Sequence, residues 1–118
     1  MRTTYKVKDN DYAYFVTSTI INWIPVFNIK QNIDALIEAL IYSQNNKDLQ
    51  IFCYVIMPEH FHLICKSKKL ISIIQSIKSF TAKRIIETYQ KENNNLILEQ
   101  FINNKKEYKT TSKYQIWQ

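Results

Sequence analysis

Apolar residues along the chain follow two rhythms, one of period two and one of three to four, separated by short polar breaks. Tyr12-Ala13-Tyr14-Phe15-Val16-Thr17-Ser18-Thr19-Ile20 is aromatic and β-branched, the composition of a strand. Pro25 interrupts the next stretch, so Ile21 to Phe27 is expected to be a connection anchored in the core by Trp23 and Phe27. The rhythm then turns helical. Ile33, Leu36, Ile37, Leu40 and Ile41 recur at the spacing of one helix face, predicting a helix over 28–43 capped by Asn28, with Gln31 three residues on. Asn45-Asn46-Lys47-Asp48 ends it.

Leu49 to Met57 is almost continuously apolar and rich in β-formers, and reads as a central strand buried on both faces. Pro58-Glu59 separates it from a second strand, His60 to Cys65, and so short a connection demands an antiparallel hairpin. A basic stretch, Lys66 to Lys69, leads into a second helix whose buried face is expected to be Ile73, Ile74, Ile77, Phe80 and Ile85. Asn93 to Asn95 break it. Leu96 to Ile102 reads as a short third helix, Lys105 to Lys113 as an exposed loop, and Tyr114 to Gln118 as a last strand. The order β-α-β-β-α-(α)-β is that of an α+β, ferredoxin-like (split βαβ) fold: one antiparallel sheet, helices on one face, the other face free to carry a site. At 118 residues the chain makes one domain over 1–118, with a basic arm over 1–10.

Composition narrows the chemistry. The sequence contains no glycine, which excludes the Walker loop, the dinucleotide fingerprint and the nucleophile elbow. The net charge of +6 favours an anionic partner, nucleic acid being the commonest. No apolar run is long enough for a membrane span and the N-terminus lacks a signal-peptide core, so a cytoplasmic, DNA-associated protein with no membrane partner is expected. Cys53 and Cys65 lack CxxC spacing and read as buried core thiols.

The two histidines, His60 and His62, stand two apart on a predicted strand. Positions i and i+2 share a face, about 6.5–7 Å apart along the backbone, so both imidazoles can reach one ion. A mixed histidine and oxygen site suits Mg²⁺ or Mn²⁺, with a third ligand from elsewhere. Taken alone, the pair also fits ordinary polar positions on a solvated face. On the second helix Ser79, Lys83 and Arg84 fall within about one turn, with Lys78 adjacent, a basic set suited to phosphate contacts or simply to a solvated face. Tyr108, in the basic loop, offers a stacking surface for a base.

Tyr54-Val55-Ile56-Met57-Pro58-Glu59-His60-Phe61-His62-Leu63-Ile64 resembles the HUH signature (histidine, hydrophobic, histidine) of single-tyrosine transposases, above all the REP-associated group and the related IS200-like insertion-sequence enzymes. Three further segments are similar to that family in the same order. They are Tyr14-Phe15-Val16-Thr17 in the first strand, Lys78-Ser79-Phe80-Thr81-Ala82-Lys83 in a K-x-F-T-x-K helix, and Tyr114-Gln115-Ile116-Trp117-Gln118 in the strand ending in W-Q.

The resemblance implies DNA transposition by metal-dependent cleavage and joining of single-stranded or hairpin DNA. His60 and His62 would hold Mg²⁺ or Mn²⁺ at the scissile phosphate, and a tyrosine would capture the 5′ end as a phosphotyrosine. In the family that tyrosine lies on a helix after the W-Q strand. None of Tyr5, Tyr12, Tyr14, Tyr42, Tyr54, Tyr89, Tyr108 or Tyr114 matches it, so a domain that stops short of its nucleophile, inactive in cleavage by itself, is expected. Insertion-sequence members resemble dimers that exchange tyrosine helices and REP-associated ones resemble monomers, which leaves a homodimer open. A different class, a non-catalytic single-strand-binding module on the same fold, would instead stack bases on exposed sheet aromatics.

Overall fold

The computed structural model describes residues 12–106 and 113–118. The N-terminal arm, Tyr5 and Tyr108 lie outside the described residues. Among the described residues three strands form the sheet in the order β1-β3-β2, where β1 is Tyr14–Thr19, β2 is Gln50–Met57 and β3 is His60–Lys66. Both neighbours pair antiparallel with β3, so β1 and β2 are mutually parallel and the crossover through helix α1 (Lys30–Asn46) splits around β3. Helices α2 (Leu70–Lys91) and α3 (Asn95–Asn103) complete the α+β, ferredoxin-like arrangement.

Alternation on β3 divides the molecule. Phe61, Leu63 and Cys65 are buried, as are Val16 and Ser18 on β1, and these face the helices. Leu36 and Leu40 from α1 and Ile73, Ile74, Ile77 and Ile85 from α2 close the core over them. His60, His62 and Ile64 point the other way, and no described helix covers that side as α1 and α2 cover the first.

The expected central strand is an edge. Most β2 side chains are exposed, among them Phe52, Tyr54, Val55 and Met57, and β3 takes the central place. A continuous apolar run looks the same whether both faces are buried or the strand lies at a margin. A register shift between Ile51 and Cys53 marks a bulge at Phe52, a feature typical of edges.

The first helix starts at Lys30 without a side-chain cap, and Asn28 belongs to a preceding 3₁₀ turn. Its buried face runs through Asn32, Ala35, Leu36, Ala39, Leu40 and Ser43. Small residues there admit close packing against α2, and the expected stripe is rotated so that Ile41 faces solvent. Phe80 is likewise partly exposed, under the Arg84 guanidinium 5.5 Å from its ring. Of the two predicted anchors in the connection, Phe27 is buried and Trp23 is not.

Tyr114–Gln118 contributes one antiparallel bridge, Ile20 to Trp117, rather than a full strand. The chain leaves β1 at Ile20 into a tight turn, so only its end is available. The Ile21 amide donates to the Ile116 carbonyl at 2.7 Å and the Gln118 amide to the Thr19 carbonyl at 2.8 Å. The placement, antiparallel beside β1, is still that of the fold's fourth strand.

The bridge delivers Trp117 into the core. Its indole lies 5.4 Å from Phe61 and 6.0 Å from Phe27, and its Nε1 donates to the Lys78 carbonyl at 3.0 Å and to Thr81 Oγ1 at 3.2 Å. Trp117→Ala is therefore expected to cost about 3–5 kcal/mol of folding stability, measured as a lower urea midpoint with little change in slope.

Candidate nucleic-acid and metal site on the open sheet face

The hairpin that carries the histidines is held at its tip. Met57 pairs with His60, which leaves Pro58-Glu59 as a two-residue loop. The Phe27 amide donates to the Pro58 carbonyl at 2.9 Å, and the Ile20 amide to the Glu59 carbonyl at 2.8 Å. The connection after β1 thus fixes the start of β3 from the side.

His60 and His62 project together, with ring centroids 4.7 Å apart and planes at 75°. His60 Nδ1 lies 2.9 Å from Glu59 Oε1, and His62 Nδ1 shares a 2.9 Å hydrogen bond with the Thr17 hydroxyl. An ionised carboxylate only accepts, so the Glu59 bond places a proton on His60 Nδ1 and leaves the Nε2 lone pair of the neutral ring for another partner. Orientation of one imidazole nitrogen by a carboxylate or hydroxyl is the outer support that metal-binding histidines use. The donor set therefore fits a divalent cation with two imidazole ligands. Among the described residues no group of three His, Cys, Asp or Glu side chains comes together.

Thr17 sits opposite His62 in the β1–β3 register, and Thr19 sits opposite His60. Thr17 is readable from the sequence in principle, because alternation with Val16 and Ser18 puts it on the open face. Glu59 lies within the histidine motif, but only the fold shows that it braces His60. Two rings border the pair: Phe15 stacks on His62 at 5.2 Å and 25°, and Trp23 stands edge-on to His60 at 6.3 Å.

The basic set of α2 is not brought to this face. Lys78 is buried beside Trp117, its ammonium 6.0 Å from the ring, and burial pushes its pKa below the usual lysine range. Arg84 donates to Glu38 of α1 at 3.1 Å, an exposed pair of small energetic weight. Ser79 and Lys83 are exposed on the outer helical surface. The helical layer carries two concavities. One of about 240 Å³ lies between α1 and α2, lined by Ala39, Tyr42, Ile77 and Phe80, and one of about 300 Å³ lies along the β2 edge by Leu40, Ile41, Phe52 and Tyr54. The histidines stand instead on the sheet face away from the helices, where both are half-buried.

The fold is an antiparallel split-βαβ sheet whose face away from the helices carries the paired, buttressed imidazoles. This chain belongs to the IS200-like transposase family, whose model (Transposase IS200 like) matches residues 12–116. No curated protein matches it. Family membership makes DNA transposition its general function and DNA its partner. Among the described residues no helix is long and apolar enough to cross a membrane.

The two cysteines report on the two sides of the sheet. Cys53 is exposed, against the expectation of burial, whereas Cys65 is fully buried and its thiol is pushed from 9.0 up to about 11 by burial. Iodoacetamide is expected to alkylate Cys53 in the folded protein and Cys65 only on unfolding, read by mass spectrometry. Between pH 9 and pH 11 the unfolded chain releases a Cys65 proton that the folded chain keeps, so stability falls as pH rises. The loss approaches about 3 kcal/mol, and Cys65→Ala should flatten that alkaline slope in urea titrations.

Proposed function

We propose that His60 and His62 hold Mg²⁺ or Mn²⁺ over the scissile phosphate of a single-stranded or hairpin DNA, and that the strand is cleaved and rejoined through a phosphotyrosine. The observation that carries this reading is the pair itself: two imidazoles 4.7 Å apart on one face, each with Nδ1 engaged by a neighbouring oxygen. Bound there, the cation supplies Lewis-acid polarisation of the phosphoryl oxygens.

The chain's own groups position the reaction. Glu59 and Thr17 hold the imidazoles in register, and the β2–β3 hairpin keeps that register rigid. A tyrosine oxygen attacks phosphorus, the bond from phosphorus to the 3′ oxygen breaks, and that oxygen leaves with a proton as a free 3′-OH. The 5′ phosphate stays on the tyrosine. The new ester conserves the bond for rejoining, so no nucleotide cofactor is required.

None of the described tyrosines is assigned as nucleophile. Tyr14 and Tyr54 pair with Cys65 and Leu63 on the helix side, Tyr89 is buried against Phe101, Tyr42 lies on α1, Tyr12 precedes β1 and Tyr114 packs against the core. Ser79 and Lys83 are the exposed members of the basic helix set, where they would contact a flanking stretch of DNA backbone away from the histidines without reading its sequence.

A Mn²⁺ titration followed by electron paramagnetic resonance tests the metal assignment. His60→Ala and His62→Ala are each expected to abolish specific Mn²⁺ binding, and Thr17→Val to weaken it about ten- to a hundredfold through loss of the His62 support. Unchanged Mn²⁺ affinity in the His60→Ala, His62→Ala double variant would overturn it.

A further inference from the structure

Trp23 and Phe15 are 64% and 65% exposed. Each touches one histidine of the pair. The four rings make an unbroken series of contacts, Trp23 to His60 at 6.3 Å, His60 to His62 at 4.7 Å and His62 to Phe15 at 5.2 Å. The aromatics therefore stand at the two ends of the imidazole pair.

Trp23 is also held at an energetic cost. Asn22 and Trp23 are consecutive left-handed residues, with φ of 53° and 56°. Asparagine tolerates that region, but a bulky tryptophan there is strained by about 1–3 kcal/mol. Buried Ile21 and Ile24 on either side fix the turn, and the Ile21 amide is bonded to Ile116. The result is an indole held in solvent beside His60 rather than folded into the core.

We propose that Trp23 and Phe15 are base-stacking residues that grip the nucleobases on the two sides of the phosphate lying over His60 and His62. This rests on the reading of the open face as the DNA site. Unpaired bases offer free π-faces to such rings, whereas bases in a duplex are already stacked on one another. Flat aromatic surfaces are tolerant of base identity, so the grip selects single-stranded over double-stranded DNA without selecting a sequence. It also splays the bases away from the phosphate and presents the backbone to the imidazoles.

The test uses the full chain and a short oligothymidylate, with an abasic strand of equal length as control. Trp23→Ala and Phe15→Ala are each expected to weaken oligothymidylate binding about five- to a hundredfold. Trp23→Phe should keep most of the affinity, and the abasic strand should bind wild type and Trp23→Ala alike. Trp117 is the sole remaining tryptophan in Trp23→Ala, so its blue-shifted emission verifies the fold of the variant. Wild-type affinity in both alanine variants, or equal binding of abasic and oligothymidylate strands by wild type, would overturn the proposal. So would a Trp23→Ala effect that sedimentation traces to lost self-association. The Mn²⁺ titration of the histidine variants is a separate readout, so failure of the metal site and failure of the stacking grip are distinguishable.

Discussion

The alternation of one strand, β3, is the constraint on which the rest depends. Phe61, Leu63 and Cys65 fill the core from it while His60 and His62 leave it on the opposite side. A slip of one residue would drive both imidazoles into the helix layer and push Phe61 into water, so core packing and site geometry are enforced together. Pairing on both edges, to β1 and β2, removes the freedom to slip. The hairpin tip adds two main-chain hydrogen bonds from the segment after β1, which tie the first histidine to the same frame.

The C-terminal segment closes that frame from the far side. Gln115 accepts from the Lys106 amide at 2.8 Å and donates to the Trp117 carbonyl at 2.9 Å, and its own amide donates to Phe101. Trp117 then joins α2 to Phe61, the residue between the two histidines. The imidazoles are half-buried on their face of the sheet, and their strand is clamped from beneath by the largest side chain in the core.

The two helical stretches, the hairpin and the shared face of His60 and His62 are legible in the sequence because each rests on local periodicity or on a turn too short for alternatives. The features that escape it require knowledge of neighbours. Leu49–Met57 is apolar enough for an interior strand, and only the strand order makes it an edge. Lys78 looks like a surface charge until Trp117 arrives from the end of the chain to cover it. Hydrophobicity alone assigns Trp23 to the core, since no local pattern announces a left-handed backbone. The roles of Thr17 and Glu59 emerge only from the register that sets them beside the imidazoles.

The missing glycines have a thermodynamic consequence of their own. Asn22, Trp23, Asp48 and Asn93 all bend the backbone into the region glycine normally serves, and each does so with a Cβ in place. In the folded state that is a penalty. Before folding, however, a chain in which every residue bears a side chain samples fewer conformations, and so surrenders less disorder when it collapses. Part of this domain's resistance to unfolding is thus written in the stiffness of its denatured ensemble rather than in any contact of the native one.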